Sequence, residues 1–393
     1  MNTVTRESII AKIIDQEYTL LKDGRTTICN LTLQNGFTVI GTSSCVDAAN
    51  YDEALGDSYA FEDAIDKIWQ LEGYLLKEQL FQMTYKFDFS WSRRIKIILV
   101  DYSQTALNAI LSFQKELKGN DAEIVNLCRH VILSSFQNIK RKYAKEYGEI
   151  VVCCDGRSYW RKEVFEFYKG NRKKTREASD LPWQLIFDTM SSIREDLRNN
   201  FPYKVVHFDR AEADDIIAVL SKWTQDNGLI MEGLEETQQK VLIISSDHDF
   251  KQLHRFPNVR QWSPRIKKFI ERETDYMTKG HIQHIVKASD DGIPNILSAD
   301  NVLVTEGVRQ NTVSAKRLAE FLELGFAACR TDDERRNWHR NERLIDFKFI
   351  PENVSEPIVE QYLNTNVVND RMQIMNYLIQ HKCRLLLDTL EDF

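Results

Sequence analysis

The run from Val241 to Phe250, Val-Leu-Ile-Ile-Ser-Ser-Asp-His-Asp-Phe, constrains the fold more than any other stretch. Val241, Leu242, Ile243 and Ile244 are β-favouring and uninterrupted, which reads as a short strand buried on both faces. The strand stops at two serines and then at Asp247 and Asp249, so charge sits at the mouth of a parallel sheet, where open α/β sheets receive ligands. The pattern recurs twice: residues 97–100 run into Asp101, and residues 150–154 run into Asp155.

Between these strands the pattern is helical. Ile124, Leu127, Val131, Leu133 and Phe136 recur at near-helical spacing in residues 123–147, and Gly148 ends that stretch. Residues 183–199 are amphipathic and stop before Pro202; Val205 and Val206 then form a short strand ahead of Asp209, and residues 211–223 a further helix. This alternation predicts an α/β fold with a parallel, doubly wound sheet covered by helices on both faces. At 393 residues the chain is too long for one ordinary domain. The spacing divides it into a small α+β domain at 1–80, a linker at 81–94, an α/β core at 95–275 and a helical region at 276–393.

The acids accumulate where the strands end. Asp101, Asp155, Glu212, Asp215, Asp247 and Asp249 all fall at expected strand ends or on the first turn of an adjoining helix. In Glu212-Ala213-Asp214-Asp215, Glu212 and Asp215 at i and i+3 share a helical face and Asp214 lies to the side. Acids on a first helical turn also suit the macrodipole. Carboxylates crowded together repel one another unless a cation neutralises them. Oxygen ligands without supporting Cys or His indicate Mg²⁺ or Mn²⁺, and a pair of such ions suits phosphodiester hydrolysis. His281 and His284 stand at i and i+3, but no Cys or third His is placed in sequence to complete a site, so both read as core or surface residues.

The net charge of -7 conceals a basic tract. Residues 157–176 hold eight cations and two anions, interleaved with Tyr159, Trp160, Phe165, Phe167 and Tyr168. Cations alternating with aromatics suit phosphate contact and stacking on unpaired bases, which makes Lys162, Lys173 and Lys174 nucleic-acid candidates. The tract follows directly from Asp155 and would overhang the acids. A solvated helix face is the alternative. No Gly-x-x-x-x-Gly-Lys-Ser/Thr loop exists to hold a nucleotide triphosphate. No apolar run approaches a membrane span, no secretory signal opens the chain, and seven scattered cysteines without a Cys-x-x-Cys repeat suit a reducing cytoplasm.

Asp101 after an apolar strand, Tyr159-Trp160-Arg161, Tyr168-Lys169-Gly170-Asn171-Arg172, Glu212-Ala213-Asp214-Asp215 and Ser245-Ser246-Asp247-His248-Asp249-Phe250 resemble, in order and spacing, the flap endonuclease or 5′-nuclease family. Within it the likeness is nearest to the ribonuclease H group of T-even phages, and it extends through Gln261-Trp262-Ser263-Pro264 and Leu344-Ile345-Asp346-Phe347 to cover about residues 95–393. The resemblance implies a two-metal enzyme with a helical arch near 157–180, a 5′ to 3′ exonuclease and flap endonuclease that removes RNA primers and adjacent DNA. Its implied setting is phage DNA replication in the cytoplasm of an infected host. Its implied substrates are RNA·DNA hybrid and flapped or nicked duplex DNA, its implied partners a phage single-stranded-DNA-binding protein and a sliding clamp, and its implied state a monomer.

By the same resemblance, Asp155, Glu212, Asp215 and Asp247 hold a first Mg²⁺ (with Mn²⁺ able to substitute), and Asp101 bridges to it. Asp249 and Asp291 serve a second ion; Asp214 ranks behind Asp215. Arg161, Lys169 and Arg172 clamp the scissile phosphate, and Tyr168 stacks on the terminal base. One departure stands out: the family pattern Gly-Asp-x-x-Asp is met here by Lys287-Ala288-Ser289-Asp290-Asp291-Gly292-Ile293-Pro294, which lacks the earlier Gly-Asp and leaves Asp290 as a substitute. A structure-specific DNA-binding protein without turnover is the alternative that this departure opens. Residues 293–297 and 314–324, around a Glu306-Gly307 turn, resemble the family's duplex-gripping helix-three-turn-helix, with Lys316 and Arg317 on phosphates. Pro351 and Pro357 are expected to break the C-terminal helices.

At the N-terminus, Ile9, Ile10, Ile13 and Ile14 predict a helix over 7–21, and Asn35-Gly36 predicts a hairpin between 27–34 and 37–41. A second helix is expected over 59–80, with Cys29 and Cys45 in the core. Leu33-Gln34-Asn35-Gly36-Phe37 and Lys67-Ile68-Trp69-Gln70-Leu71 resemble a family of small uncharacterised tailed-phage proteins, a resemblance that implies no chemistry.

Overall fold

Alternation of buried and open residues decides the architecture of the N-terminal residues. In the computed structural model, β1 (Ile13–Leu20), β2 (Thr26–Leu33) and β3 (Thr38–Ser44) form an antiparallel sheet in that order. Cys29, Leu31, Leu33 and Val39 point to one face, where Ala60, Ala64, Ile65 and Ile68 of the helix Glu53–Tyr85 close the core. The model describes residues 3–85, 96–117, 119–170, 181–227, 229–232, 235–273, 276–288 and 290–393. By contacts the chain divides into Met1–Trp91 and Ser92–Phe393.

Three expectations for the first unit change. The helix foreseen over 7–21 is only Arg6–Ile10, and the rest is β1. β1 is almost wholly exposed, so its isoleucines are not the apolar stripe of a helix; backbone pairing with β2 from Ile13 to Leu20 overrides the helical spacing. The Asn35-Gly36 hairpin forms as expected, through a type I turn in which Gly36 takes a positive φ and its N–H bonds to Leu33 O. The second helix continues through residues 81–85, where a linker was expected, and Cys45 is half-buried rather than core. The remaining linker residues lie outside the described ones.

In the second unit, β4 (Ile97–Asp101), β5 (Glu149–Cys154) and β6 (Lys204–His207) are followed by a separate hairpin, β7 (Leu229–Glu232) and β8 (Glu235–Gln238). Then come β9 (Val241–Ile244), β10 (Val259–Ser263) and β11 (Lys268–Ile270). The six-stranded sheet has the order β11-β10-β9-β4-β5-β6, parallel throughout except for the β10–β11 edge pair. Ile98, Val100, Val152, Leu242 and Ile244 pack against the helices Asp121–Tyr147 and Trp183–Asn200. Ile97, Leu99, Val151, Val241 and Ile243 pack against Ala213–Asn227 and Glu352–Asn364. With both faces covered, every strand position must be apolar, which is why these runs do not alternate. The sheet is doubly wound as expected. The chain grows from β4 toward β6 and then returns to lay β9 on the other side of β4, so the topological switch lies between β4 and β9.

The C-terminal residues depart from expectation in two places, residues 293–297 and Pro357. Residues 293–297 are irregular, and the helix preceding Ala315–Leu324 is His281–Lys287. Gly307 supplies a positive-φ turn between them. Pro351 caps the helix Glu352–Asn364, which Pro357 joins without ending. Leu386 is buried in the main core beside Phe393. Among the described residues no helix is long and apolar enough to cross a membrane.

Gly41 is the tightest point of the first core, because a Cβ there would meet the backbone of Ala60 and Ala64. Gly41→Ala should therefore push the helix off the sheet and cost about 1–3 kcal/mol. Hydrogen exchange at Cys29, Leu31 and Val39 checks this: about tenfold or faster exchange is expected, and unchanged exchange would show that the helix gives way freely.

Candidate metal centre

The register of the parallel strands brings the acids together. Asp101 ends β4, and its carboxylate caps the helix Tyr102–Leu111 by accepting the Gln104 N–H at 3.0 Å while Ser245 Oγ donates to it at 3.1 Å. Asp155, just beyond β5, accepts from Ser103 Oγ at 2.6 Å and from the Ala213 N–H at 3.0 Å, which ties it to the first turn of the helix Ala213–Asn227. Asp247 follows β9; its carboxylate accepts the Asp249 N–H at 2.9 Å, and the Gln261 amide holds its carbonyl at 2.7 Å.

The electrostatics link these groups into one cluster. Burial, then the neighbouring Asp155 and Asp247, push Asp101 up to about 7. Burial followed by Asp247 and Asp101 raises Asp214 well above the ordinary carboxylate range. Burial followed by Asp247 and Asp291 does the same to Asp249. Asp214, Asp249, Asp290 and Asp291 also line a common cleft. Such a cluster suits a divalent cation, because the donors are carboxylate oxygens and their repulsion is what an ion would relieve.

A second layer of charge is already satisfied. The Arg161 guanidinium is 3% exposed and donates to Glu212 Oε2 at 2.9 Å, Asp215 Oδ2 at 2.9 Å and the Leu344 carbonyl at 2.8 Å. The Trp160 indole N–H and the Glu212 backbone N–H also donate to Asp215 Oδ2, at 3.1 and 3.0 Å. The Tyr168 hydroxyl lies 2.8 Å from Glu212 Oε2 and 3.0 Å from Asp291 Oδ2. Lys169 Nζ contacts Glu212 and lies 3.3 Å from Asp291.

Comparisons with known proteins agree with this architecture. Residues 96–286 match the model of the 5′-3′ exonuclease N-terminal resolvase-like domain, and residues 273–393 match the T4 RNase H C-terminal model. Ribonuclease H of Enterobacteria phage T4 is 34% identical over 311 residues, spanning 76% of this chain and 95% of that protein. The chain belongs to this phage ribonuclease H family. Two solved structures are similar at lower identity. A T5 5′-exonuclease with bound divalent metal ions (zinc) has 19% identity and a TM-score of 0.47, over 68% of this chain and 98% of that one. The T5 D15 protein co-crystallized with metal ions has 17% identity and a TM-score of 0.46 over the same shares. Residues 4–80 match a separate phage protein family, N4 Gp49/phage Sf6 gene 66.

Several residue roles carried from the family resemblance do not fit the geometry. Asp215 is fully buried beneath Arg161 and Trp160, whereas Asp214 faces Asp101 and Asp247, so the order expected between the two acids is reversed. The physical reason is that the helix begins at Ala213, and Asp215 folds back to cap the N–H of Glu212. Arg161 is a buried ion-pair hub rather than a phosphate clamp. Tyr168 is 3% exposed, with its hydroxyl between two carboxylates, and presents no face for a terminal base. Arg317 is 8% exposed and held by Glu320 and Glu334, so it is not on a phosphate path. Lys162 and Lys316 are exposed. Arg172, Lys173 and Lys174 lie outside the described residues.

Sequence reasoning also missed a residue of the cleft. His281 turns to Asp346, with Nε2 3.3 Å from Oδ2, but His284 turns inward to Asp249. Its partner is His248, two strands away in sequence, with the ring centroids 5.9 Å apart. The only sequence signal was a histidine between the two aspartates of the β9 motif.

Removing Arg161 leaves the buried Asp215 without its cation and Glu212 with Lys169 alone. Arg161→Ala should lower unfolding free energy by about 3–5 kcal/mol, measured by urea denaturation. A variant of wild-type stability that has lost only turnover would return Arg161 to the role of clamp.

Proposed function

We propose that the chain is a 5′ to 3′ exonuclease and flap endonuclease that hydrolyses phosphodiesters of RNA·DNA hybrid and flapped duplex DNA with Mg²⁺. The observation that carries this reading is the convergence of Asp101, Asp155, Asp214, Asp247 and Asp249 at the carboxyl ends of β4, β5 and β9. Asp101, Asp155, Asp214 and Asp247 would hold a first ion, and Asp249 with Asp291 a second. Bound divalent ions supply Lewis acidity at the scissile phosphate and lower the pKa of an attacking water.

The chain's own residues prepare the rest. Glu212, gripped by Arg161, Tyr168 and Lys169, is a fixed anchor between the buried hub and the open cleft. Lys169 lies at that edge with its side chain 11% exposed, and its ammonium is the cation best placed to meet a phosphate oxygen and stabilise developing charge. Asp155, held by two hydrogen bonds at fixed angles, keeps its orientation without substrate. Lys162, exposed over the Tyr159 ring at 5.4 Å, extends the positive rim toward the backbone of a bound strand. A role in phage replication, in the host cytoplasm and beside a single-stranded-DNA-binding protein and a clamp, completes the reading.

The test is cleavage of a 5′-labelled RNA·DNA hybrid with Mg²⁺ and with EDTA. Asp214→Asn should reduce kcat by at least about a hundredfold with substrate binding within about twofold. Lys169→Ala should lower kcat by about 10–1000-fold and leave KM little changed. Full activity of Asp214→Asn would remove that acid from the centre, and a pure KM effect would make Lys169 a positioning residue. Absence of Mg²⁺-dependent cleavage by the wild type would end the nuclease reading.

A further inference from the structure

The acid cluster has one flank that is not made of oxygen. His248, Asp249 and His284 each offer a ligand atom, and these atoms all lie within 4.8 Å of one another. We propose that these three residues form a site for a borderline transition ion, Zn²⁺ or Co²⁺, at the edge of the carboxylate cleft. The inference rests on this geometry and would stand without the nuclease reading.

Three observations carry it. First, His284 is held in position by burial: its side chain is 9% exposed, and its Nδ1 has no hydrogen-bond partner. A buried ring nitrogen without a partner is costly unless something fills its lone pair. Second, that Nδ1 lies 3.3 Å from Asp249 Oδ1. Two ligands of one tetrahedral ion, with bonds of about 2.0 Å, stand about 3.3 Å apart. Third, the far side of the ring faces an acid, Asp290 Oδ2 at 4.0 Å from Nε2. The negative charge of that carboxylate, acting at a distance rather than through a hydrogen bond, favours the tautomer with its proton on the outer nitrogen. His248 reaches the same point from the loop after β9, its ring edge-on to His284 and supported by Tyr276 at 5.4 Å between centroids.

The chemistry distinguishes this site from the neighbouring acids. Two imidazoles and one carboxylate select ions of the later first row over Mg²⁺, which prefers oxygen. A three-residue set also leaves positions open for water or a phosphate oxygen. Asp249 belongs to both groups, so a transition ion here takes a ligand from the place a second Mg²⁺ would use. Asp291, at the segment that lacks the family's earlier Gly-Asp, lines the same cleft.

The experiment is Co²⁺ titration of the EDTA-treated full chain, followed by visible absorption and calorimetry, with Zn²⁺ used to displace the bound Co²⁺. Wild type should bind at least one Co²⁺ with the visible bands of nitrogen ligation. His248→Ala and His284→Gln should each weaken that binding at least tenfold and remove the bands. His248 is exposed, so its variant decides the matter even if His284→Gln fails to fold. Co²⁺ binding and bands unchanged in His248→Ala would overturn the proposal and assign the ion to the carboxylates. Mg²⁺-dependent cleavage, assayed on the same preparations, separates the two readings: histidine-dependent Co²⁺ binding without cleavage sustains this site and retires the nuclease. Cleavage with histidine-independent Co²⁺ binding does the reverse.

Discussion

Like charge held in a buried place is the constraint on which the second unit depends. The sheet delivers Asp101, Asp155 and Asp247 to one edge because β4, β5 and β9 are adjacent and parallel, and each ends no more than three residues from its acid. Burial, with their mutual repulsion added to it, is what lifts Asp101 to about 7. A protein keeps such an arrangement only if the rest of the fold over-determines it. Here the over-determination is visible as hydrogen bonds from Ser103, Gln104, Ser245 and the Ala213 N–H, all reaching carboxylate oxygens from a neighbouring helix or loop.

The acids fall into two ranks according to what faces them. Glu212 and Asp215 are neutralised by Arg161, buried with them, and this hub ties the segment after β5 to the start of the helix Ala213–Asn227 and to the carbonyl of Leu344. Asp101, Asp214, Asp247 and Asp249 face one another instead. The hub lets the cleft hold uncompensated charge, because it fixes the helix that carries Asp214 by a route independent of any ion. One residue of offset on that helix separates a structural acid from a chemical one.

That offset explains what the sequence could and could not reveal. Strand ends were legible because a strand buried on both faces is a continuous apolar run, and where it stops the chain must meet solvent or a ligand. Asp101, Asp155 and Asp247 followed from this alone. Which of Asp214 and Asp215 faces the cleft did not follow, because the i, i+3 argument assumes Glu212 is already helical, and it precedes the helix. Arg161 and Tyr168 looked solvent-facing in a basic tract, yet tertiary packing turned them inward on the very acids they were expected to overhang. In the first unit, the Ile13-Ile14 pair satisfied helical spacing, but only pairing with β2, a non-local fact, made it a strand. His284 was invisible for the same reason: its partners His248 and Asp249 lie beyond β10 and β11 in the chain.

Lys169 and Asp291 show how the two ends of the cleft are set together. Both hold a left-handed backbone, with φ of 58° and 53°, a conformation that costs about 1 kcal/mol or more for a residue with a side chain. They are also joined, since the Lys169 N–H donates to the Asp291 carbonyl at 2.7 Å. The strain at each is therefore held by the other, and their side chains meet again at 3.3 Å above that bond. A backbone link between the basic tract and the segment after His281–Lys287 means that neither can shift alone. The cation offered to a phosphate and the acid offered to an ion keep one fixed separation, which is a precondition for acting on the same bond.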